Sequence, residues 1–252
     1  MSLIYNGSES SSVSGNNIAL SSVLYNGTNI LNPWTELHIG SSRNNDPQGF
    51  IIGGSLMNQN AEGKYSSSGN GFEISSLYQR AADSHLYNLV DGNLSSVTTW
   101  TNSTSTATSS PWVRIKFPFD IYIQSITLVD SSAYTGTYCL LRSGAISVAN
   151  EVDGGPGTYT SFATISRSKI SPAAQIISEY PASDAIKSAP YRYIRISASN
   201  ANVDSSGAWG RTYNSTYKQR KLTEVQMVVK VRTTDYYAWK SQYGLSGNTD
   251  IV

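Results

Sequence analysis

Catalysis needs particular side chains at particular spacings, and they are sparse in this chain of 252 residues. The two histidines, His38 and His85, have no Cys, His or carboxylate at a spacing that suits zinc. Cys139 lacks an adjacent base that would make it a nucleophile, and no G-x-S-x-G elbow occurs. The acids Glu73, Asp83, Asp91, Asp120, Asp130, Glu151, Asp153 and Glu179 are scattered. They form no evident couple of the kind that cleaves glycosidic bonds. Gly154–Gly157 (GGPG) reads as a turn, without the Lys-Ser/Thr of a phosphate loop. The expectation is a protein that binds or assembles, and not an enzyme.

The composition points the same way. Charged residues make up 14%, against roughly 25% in ordinary soluble domains. The 39% of hydrophobic residues is enough for a core, so solubility must come from Ser, Thr, Asn and Gly. The 17 tyrosines suit a recognition surface, where Tyr adds contact area at little entropic cost. They equally suit strands, for which Tyr has high propensity. A net charge of +1 leaves no electrostatic footprint for nucleic acid. The longest basic cluster, Lys218–Lys221 (KQRK), reads as a solvated loop. The single Cys139, between Tyr138 and Leu140, excludes an intrachain disulfide and reads as a small buried hydrophobe.

The first residues, MSLIYNGSES, carry neither the basic stretch nor the apolar run of a secretory signal. No segment reaches the ~20 apolar residues of a membrane span, so no membrane insertion is expected. Synthesis in a cytoplasm, combined with the composition of an exposed surface, fits a virion protein released by lysis.

Strands dominate the elements that would position any site. In Trp112–Phe117 (WVRIKF), Val113, Ile115 and Phe117 alternate with Arg114 and Lys116, the period of a half-buried strand ended by Pro118. In Ile121–Val129 the phase changes between Ile121/Ile123 and Ile126/Leu128, which calls for a bulge near Ser125 or burial of both faces. Tyr191–Ser197 turns Ile194 and Ile196 inward, and Leu222–Val231 aligns Val225, Met227, Val229 and Val231. Helix is expected only at Ser171–Ser178, entered through Pro172, and at Asp235–Tyr243, with Asp235 as cap and Gly244 as stop. Leu3–Ser8 (LIYNGS) recurs at Val23–Thr28 (VLYNGT), and Asn-Gly after an apolar pair predicts two related hairpins or edge strands. Arg43–Gln48 reads as a linker. The predicted organisation is a β extension over 1–55 for docking or assembly, a β domain over 56–232 and a tail over 233–252.

Four motifs in order carry a family resemblance: Leu89–Gly92 (LVDG) with Trp100, the Trp112–Phe117 strand, Tyr193–Ile196 (YIRI) and Leu222–Met227 (LTEVQM). Together they resemble the discoidin or coagulation-factor type C family of galactose-binding-like modules, over about Ser66 to Val231. The resemblance implies an all-β jelly-roll sandwich with ligand loops at one end. The chain departs from the family pattern at Lys116, which replaces a frequent acid, and at the long loop Ser206–Lys221.

The resemblance also implies a structural Ca²⁺ ion held by Asp91 and Glu224 with Asn93 and Ser96 nearby, hard oxygens on a Gly turn. The alternative is an Asx turn at Asp91 and a solvent-facing Glu224. It places the ligand at loops holding Trp209, Arg211 and Tyr213, with Tyr78, Gln79 and Arg80 on the opposite wall. An aromatic face beside a planar guanidinium suits the two sides of a sugar; the alternative is that these rings pack on the chain's own loops or a neighbouring subunit. Trp100 and Trp112 are assigned to the core or its rim.

The expected function is recognition of host-surface carbohydrate by a virion tail or fibre protein, in a homo-oligomer with other tail proteins. A purely structural peg is the second reading, favoured by the terminal hairpins and the aromatic tail of Tyr236, Tyr237, Trp239 and Tyr243. The third is a carbohydrate-binding module of a cell-surface protein.

Overall fold

The computed structural model describes backbone and side chains for residues 33–41, 48–50, 71–76, 86–94, 112–130, 141, 143–166, 177–199 and 222–243, and the backbone alone of short strands elsewhere. The body is built, in chain order, from β1 (Trp34–Ile39), β2 (Gly49–Phe50), β3 (Glu73–Ser76), β4 (Thr98–Thr101), β5 (Trp112–Asp130), β6 (Ser143–Ala149), β7 (Thr160–Ser166), β8 (Ile176–Pro181), β9 (Tyr191–Ala198), β10 (Thr212–Tyr213), β11 (Tyr217–Leu222) and β12 (Glu224–Arg232). The helices are α1 (Asp184–Lys187) and α2 (Thr233–Gln242).

One strand organises both layers. The first half of β5 pairs with β9 on one side and β3 on the other, and β6 and β7 extend that layer beyond β9. Its second half pairs with β8 and β12, and β1 and β2 continue the layer beyond β12. Between the halves the register to β9 jumps from Lys116↔Tyr193 to Ile121↔Tyr191. Pro118, which has no N–H for the ladder, sits in that bend. The strand does not end at Pro118 as expected; it turns the corner there and changes layer.

The alternation survives the corner. Val113, Ile115, Phe117, Phe119, Ile121 and Ile123 are all buried. Then Gln124 intervenes: Ile123 pairs with Val229 but Ser125 with Val228, so one residue is extra. This bulge restores the phase, and Ile126 and Leu128 are buried as well. It is the feature anticipated near Ser125. The Gln124 carbonyl is not wasted, since it accepts the Ala182 N–H at 2.9 Å just beyond β8.

Ile74, Ile146, Val148, Ile194 and Ile196 of the first layer share one core with Leu37, Ile39, Val225, Met227, Val229 and Val231 of the second. The all-β sandwich is thus the fold, and each fully buried aliphatic side chain contributes about 1.5–3 kcal/mol to it. The bend is closed by aromatic rings. Phe119 and Trp239 lie 5.3 Å apart, Phe72 and Phe117 5.6 Å, and Phe50 and Phe72 5.7 Å.

Several expectations change. Ile176–Ser178, placed in a helix, begin β8, because their backbone completes the edge of the second layer; residues 171–175 lie outside the described set. The KQRK run is not a solvated loop but part of β11, paired antiparallel to β4. The long loop Ser206–Lys221 contains the β10–β11 pairing. Helix α2 starts two residues earlier than expected, after an extended Arg232, so Asp235 lies inside the first turn rather than capping it. There its charge still favours the helix N-terminus.

The sandwich also reaches into both flanking segments. β1, within 1–55, zips along β12, and Tyr236 and Trp239 of α2 are only 4% exposed. The core therefore does not stop at residues 55 and 232. The aromatic tail seals the chain's own core, leaving Tyr237, 43% exposed, as its outward ring. Both Asn-Gly hairpins are paired, Leu3–Tyr5 with Ser8–Ser10 and Leu24–Tyr25 with Thr28–Asn29. A third two-residue turn, Asp153-Gly154, has both φ angles positive (51° and 77°), as a tight hairpin requires. Cys139 lies outside the described residues.

Candidate functional site at one pole of the sandwich

β12 runs antiparallel to β5, with Glu224 opposite Val129 and Val231 opposite Ile121. Glu224 thus opens its strand about 25 Å from the bend, at roughly 3.3 Å per residue. The same pole receives Asp91. Leu86, Leu89 and Val90, all fully buried, anchor the one-turn helix Leu86–Leu89 that delivers it. Gly92 then takes a φ of 70°, and the Asn93 N–H donates to Asp91 Oδ1 at 2.8 Å. The Asx turn weighed for Asp91 is present.

The solvent-facing Glu224 is not. Its side chain is 0% exposed, and neither carboxylate oxygen has a hydrogen-bond partner among the described residues. Burial holds its pKa well above the usual carboxylate value, and the charge of Asp91 pushes the same way. The nearby Gly92 N–H dipole opposes both without closing a hydrogen bond of good geometry. Gly40, at φ 76°, presses against this group: a Cβ there would lie 2.8 Å from Glu224 Oε1 and 2.7 Å from the Val225 carbonyl oxygen. Only glycine meets both demands at that position.

Two carboxylates, one of them dry, form a hard-oxygen donor set that fits Ca²⁺. Among the described residues no group of three or more His, Cys, Asp or Glu side chains converges. Carbonyls and water would have to complete the coordination. Asp130, 2% exposed at the end of β5, is a buried acid that sequence reading left among the scattered ones. The available signal was an acid closing the apolar run Ile126–Val129.

In the chain just before Glu224, β11 forms a small sheet with β4 and β10, in the order β4, β11, β10. It sets the backbone of Trp100 opposite Arg220 and that of Tyr213 opposite Tyr217. The Tyr213 segment expected to face the ligand is thus joined through β11 to the Trp100 strand, which was assigned to the core or its rim, and β11 leads through Leu222 towards Glu224. Trp112 is half-buried at the rim, as expected. Trp209, Arg211, Tyr78, Gln79, Arg80 and Ser96 lie outside the described residues, and Tyr213 is described in its backbone only.

A search of solved structures finds relatives by shape. They include the family 32 CBM of C. perfringens NanJ in complex with galactose (13% identity, covering 62% of this chain and 93% of that one, TM-score 0.43). The F5/8 type C domain of a Bacteroides fragilis protein is similar at 15% identity (63% and 91% covered, TM-score 0.41). So is the fucolectin of striped bass serum, at 16% (65% and 47% covered, TM-score 0.42). No protein-family model matches the chain. No curated protein matches it either. The chemistry of the site rests on the chain's own residues.

Proposed function

We propose that this protein is a non-catalytic carbohydrate-binding module whose site lies at the Glu224–Asp91 pole and is shaped by a structural Ca²⁺ ion. The observation that carries the reading is the buried carboxylate of Glu224, which has no hydrogen-bond donor among the described residues and stands two residues beyond the end of β11. A cation between Glu224 and Asp91 would offset two negative charges and fix the Asp91–Asn93 turn. Trp209 and Arg211 immediately precede β10 in the sequence. An aromatic ring and a guanidinium there supply what a pyranose needs, a flat apolar face and in-plane hydrogen bonds.

The carrier we propose is a virion tail or fibre, with a host-surface glycan as ligand; the Tyr, Ser, Asn and Gly content supports an adaptable polar recognition surface. The structural-peg reading loses one of its supports, because Tyr236 and Trp239 are consumed by the core.

A glycan array probed with the full chain, with Ca²⁺ and then with EDTA, tests the reading. Retention on a defined glycan that is lost in Trp209→Ala is expected, with EDTA weakening it. No retention in either condition would overturn it.

A further inference from the structure

Register fixes a lattice of side chains on the outer face of the first layer. Across β3, β5, β9 and β6 one row reads Glu73, Lys116, Tyr193, Ala149, and the next reads Ser75, Arg114, Arg195, Ser147. The first row is charge-compensated. Lys116 Nζ lies 2.7 Å from Glu151 Oε1, and Arg192 Nη1 donates to Glu151 Oε2 at 3.0 Å. Tyr193 donates to Glu151 at 3.3 Å, and Arg192 Nε donates to Asp120 at 2.8 Å.

The second row is not compensated. Arg114 and Arg195 stand directly opposite each other, a spacing of about 4.5–5.5 Å between Cβ atoms. Neither has a carboxylate within ion-pair distance among the described residues. The nearest acid on the adjoining strand, Glu73, faces Lys116 one row away. Arg114 Nε donates to Ser75 Oγ at 3.2 Å, and its head lies 5.3 Å from the Trp112 ring and 5.5 Å from that of Tyr193. Arg195 sits 3.7 Å above the Tyr159 ring, and its buried Nε has no partner.

Like charges directly opposed weaken a sheet, and a buried donor without an acceptor costs more. An anion bridging the outward N–H groups of the pair would cancel the first penalty and offset the second. A guanidinium stacked by its face keeps its N–H edge for the planar, two-oxygen contacts that carboxylate and sulfate offer. The flanking rings thin the water and strengthen such contacts. We propose that Arg114 and Arg195 form an oxyanion site on this sheet face, taking a sulfate or carboxylate group borne by an acidic polysaccharide, with Trp112 and Tyr159 beside the sugar ring. The site reads one acidic group rather than a phosphate backbone, because Lys116 and Arg192 are already neutralised and the net charge is only +1. It lies on a sheet face, uses neither Asp91 nor Glu224, and does not depend on Ca²⁺.

The test titrates the full chain with sodium sulfate, galactose 6-sulfate and neutral galactose at constant ionic strength, reading the Arg114 and Arg195 Nε–Hε signals by NMR. Both anions are expected to shift these signals saturably, galactose 6-sulfate at the lower concentration, while galactose leaves them in place. Arg114→Gln and Arg195→Gln should each weaken anion binding at least about tenfold, and Glu224→Gln should not. Equal affinity for the two anions would overturn the polysaccharide assignment. Unsaturable shifts, or wild-type affinity in both arginine variants once melting shows them folded, would overturn the site itself. Neither result bears on Ca²⁺-dependent glycan retention at the pole, so the two readings fail separately.

Discussion

A fully buried carboxyl group without a donor must hold either a proton or a cation, and Glu224 makes that choice measurable. In metal-free protein its folded pKa is held above the unfolded value by burial and by Asp91. Across that window the folded state carries a proton that the unfolded chain has released, so stability falls as pH rises through it. Thermal melts in EDTA from about pH 5 to about pH 8 should show this decline, and Glu224→Gln should flatten it. At neutral pH the metal-free variant should be the more stable, by about 1–3 kcal/mol. Saturating Ca²⁺ should reverse the order, because only the wild-type carboxylate can ligate. Gly40→Ala should cost about 1–3 kcal/mol through its positive φ and blunt the Ca²⁺ response by crowding Oε1. It was the family resemblance that named Asp91 and Glu224 as partners, through the Asp-Gly turn and the Glu that opens the last strand. The dryness of Glu224 was not legible, for nothing local distinguishes it from an exposed acid at a strand end. The Arg114–Arg195 opposition is invisible for a different reason: it exists only once β5 and β9 are in register.

At the scale of elements, α2 carries the sharpest expectation. If its aromatic side seals the core, Trp239→Ala should lose about 3–5 kcal/mol. Tyr237→Ala, one turn-face away and exposed, should change stability by less than about 0.5 kcal/mol. Chemical denaturation of both variants decides, and equal small effects would contradict the packing. The long alternating strands were legible because half-burial imposes period two, and even the Gln124 bulge showed as a phase change. β8 and β11 were not, for each lacks an apolar stripe of its own. Ile177 is 63% exposed, and Lys-Gln-Arg-Lys owes its strand state to its partner β4. Such strands are set by neighbours rather than by their own pattern.

For the whole molecule, the two acidic systems pull in opposite directions with pH. Glu151 is held below its usual value by the hydrogen bond from Lys116, which outweighs burial, with further help from Arg192. Its contribution is present above the unfolded pKa and lost only as pH falls through the folded one. Metal-free protein should therefore be most stable on the acid side of neutrality, between the loss from Glu224 above and the loss from Glu151 below. A melting profile rising steadily to pH 8, a condition well above both ordinary carboxylate values, would contradict this. The corner at Pro118 has a further consequence for how the molecule comes apart. A sandwich made of two separate sheets can part along the seam between them, but here a single strand is stitched into both. Each half of β5 is laddered into a different layer, so detaching the strand along its whole length unzips both, and the two layers are coupled through it. Amide exchange at Ile115 and Ile126, in different layers, should therefore report one and the same opening free energy.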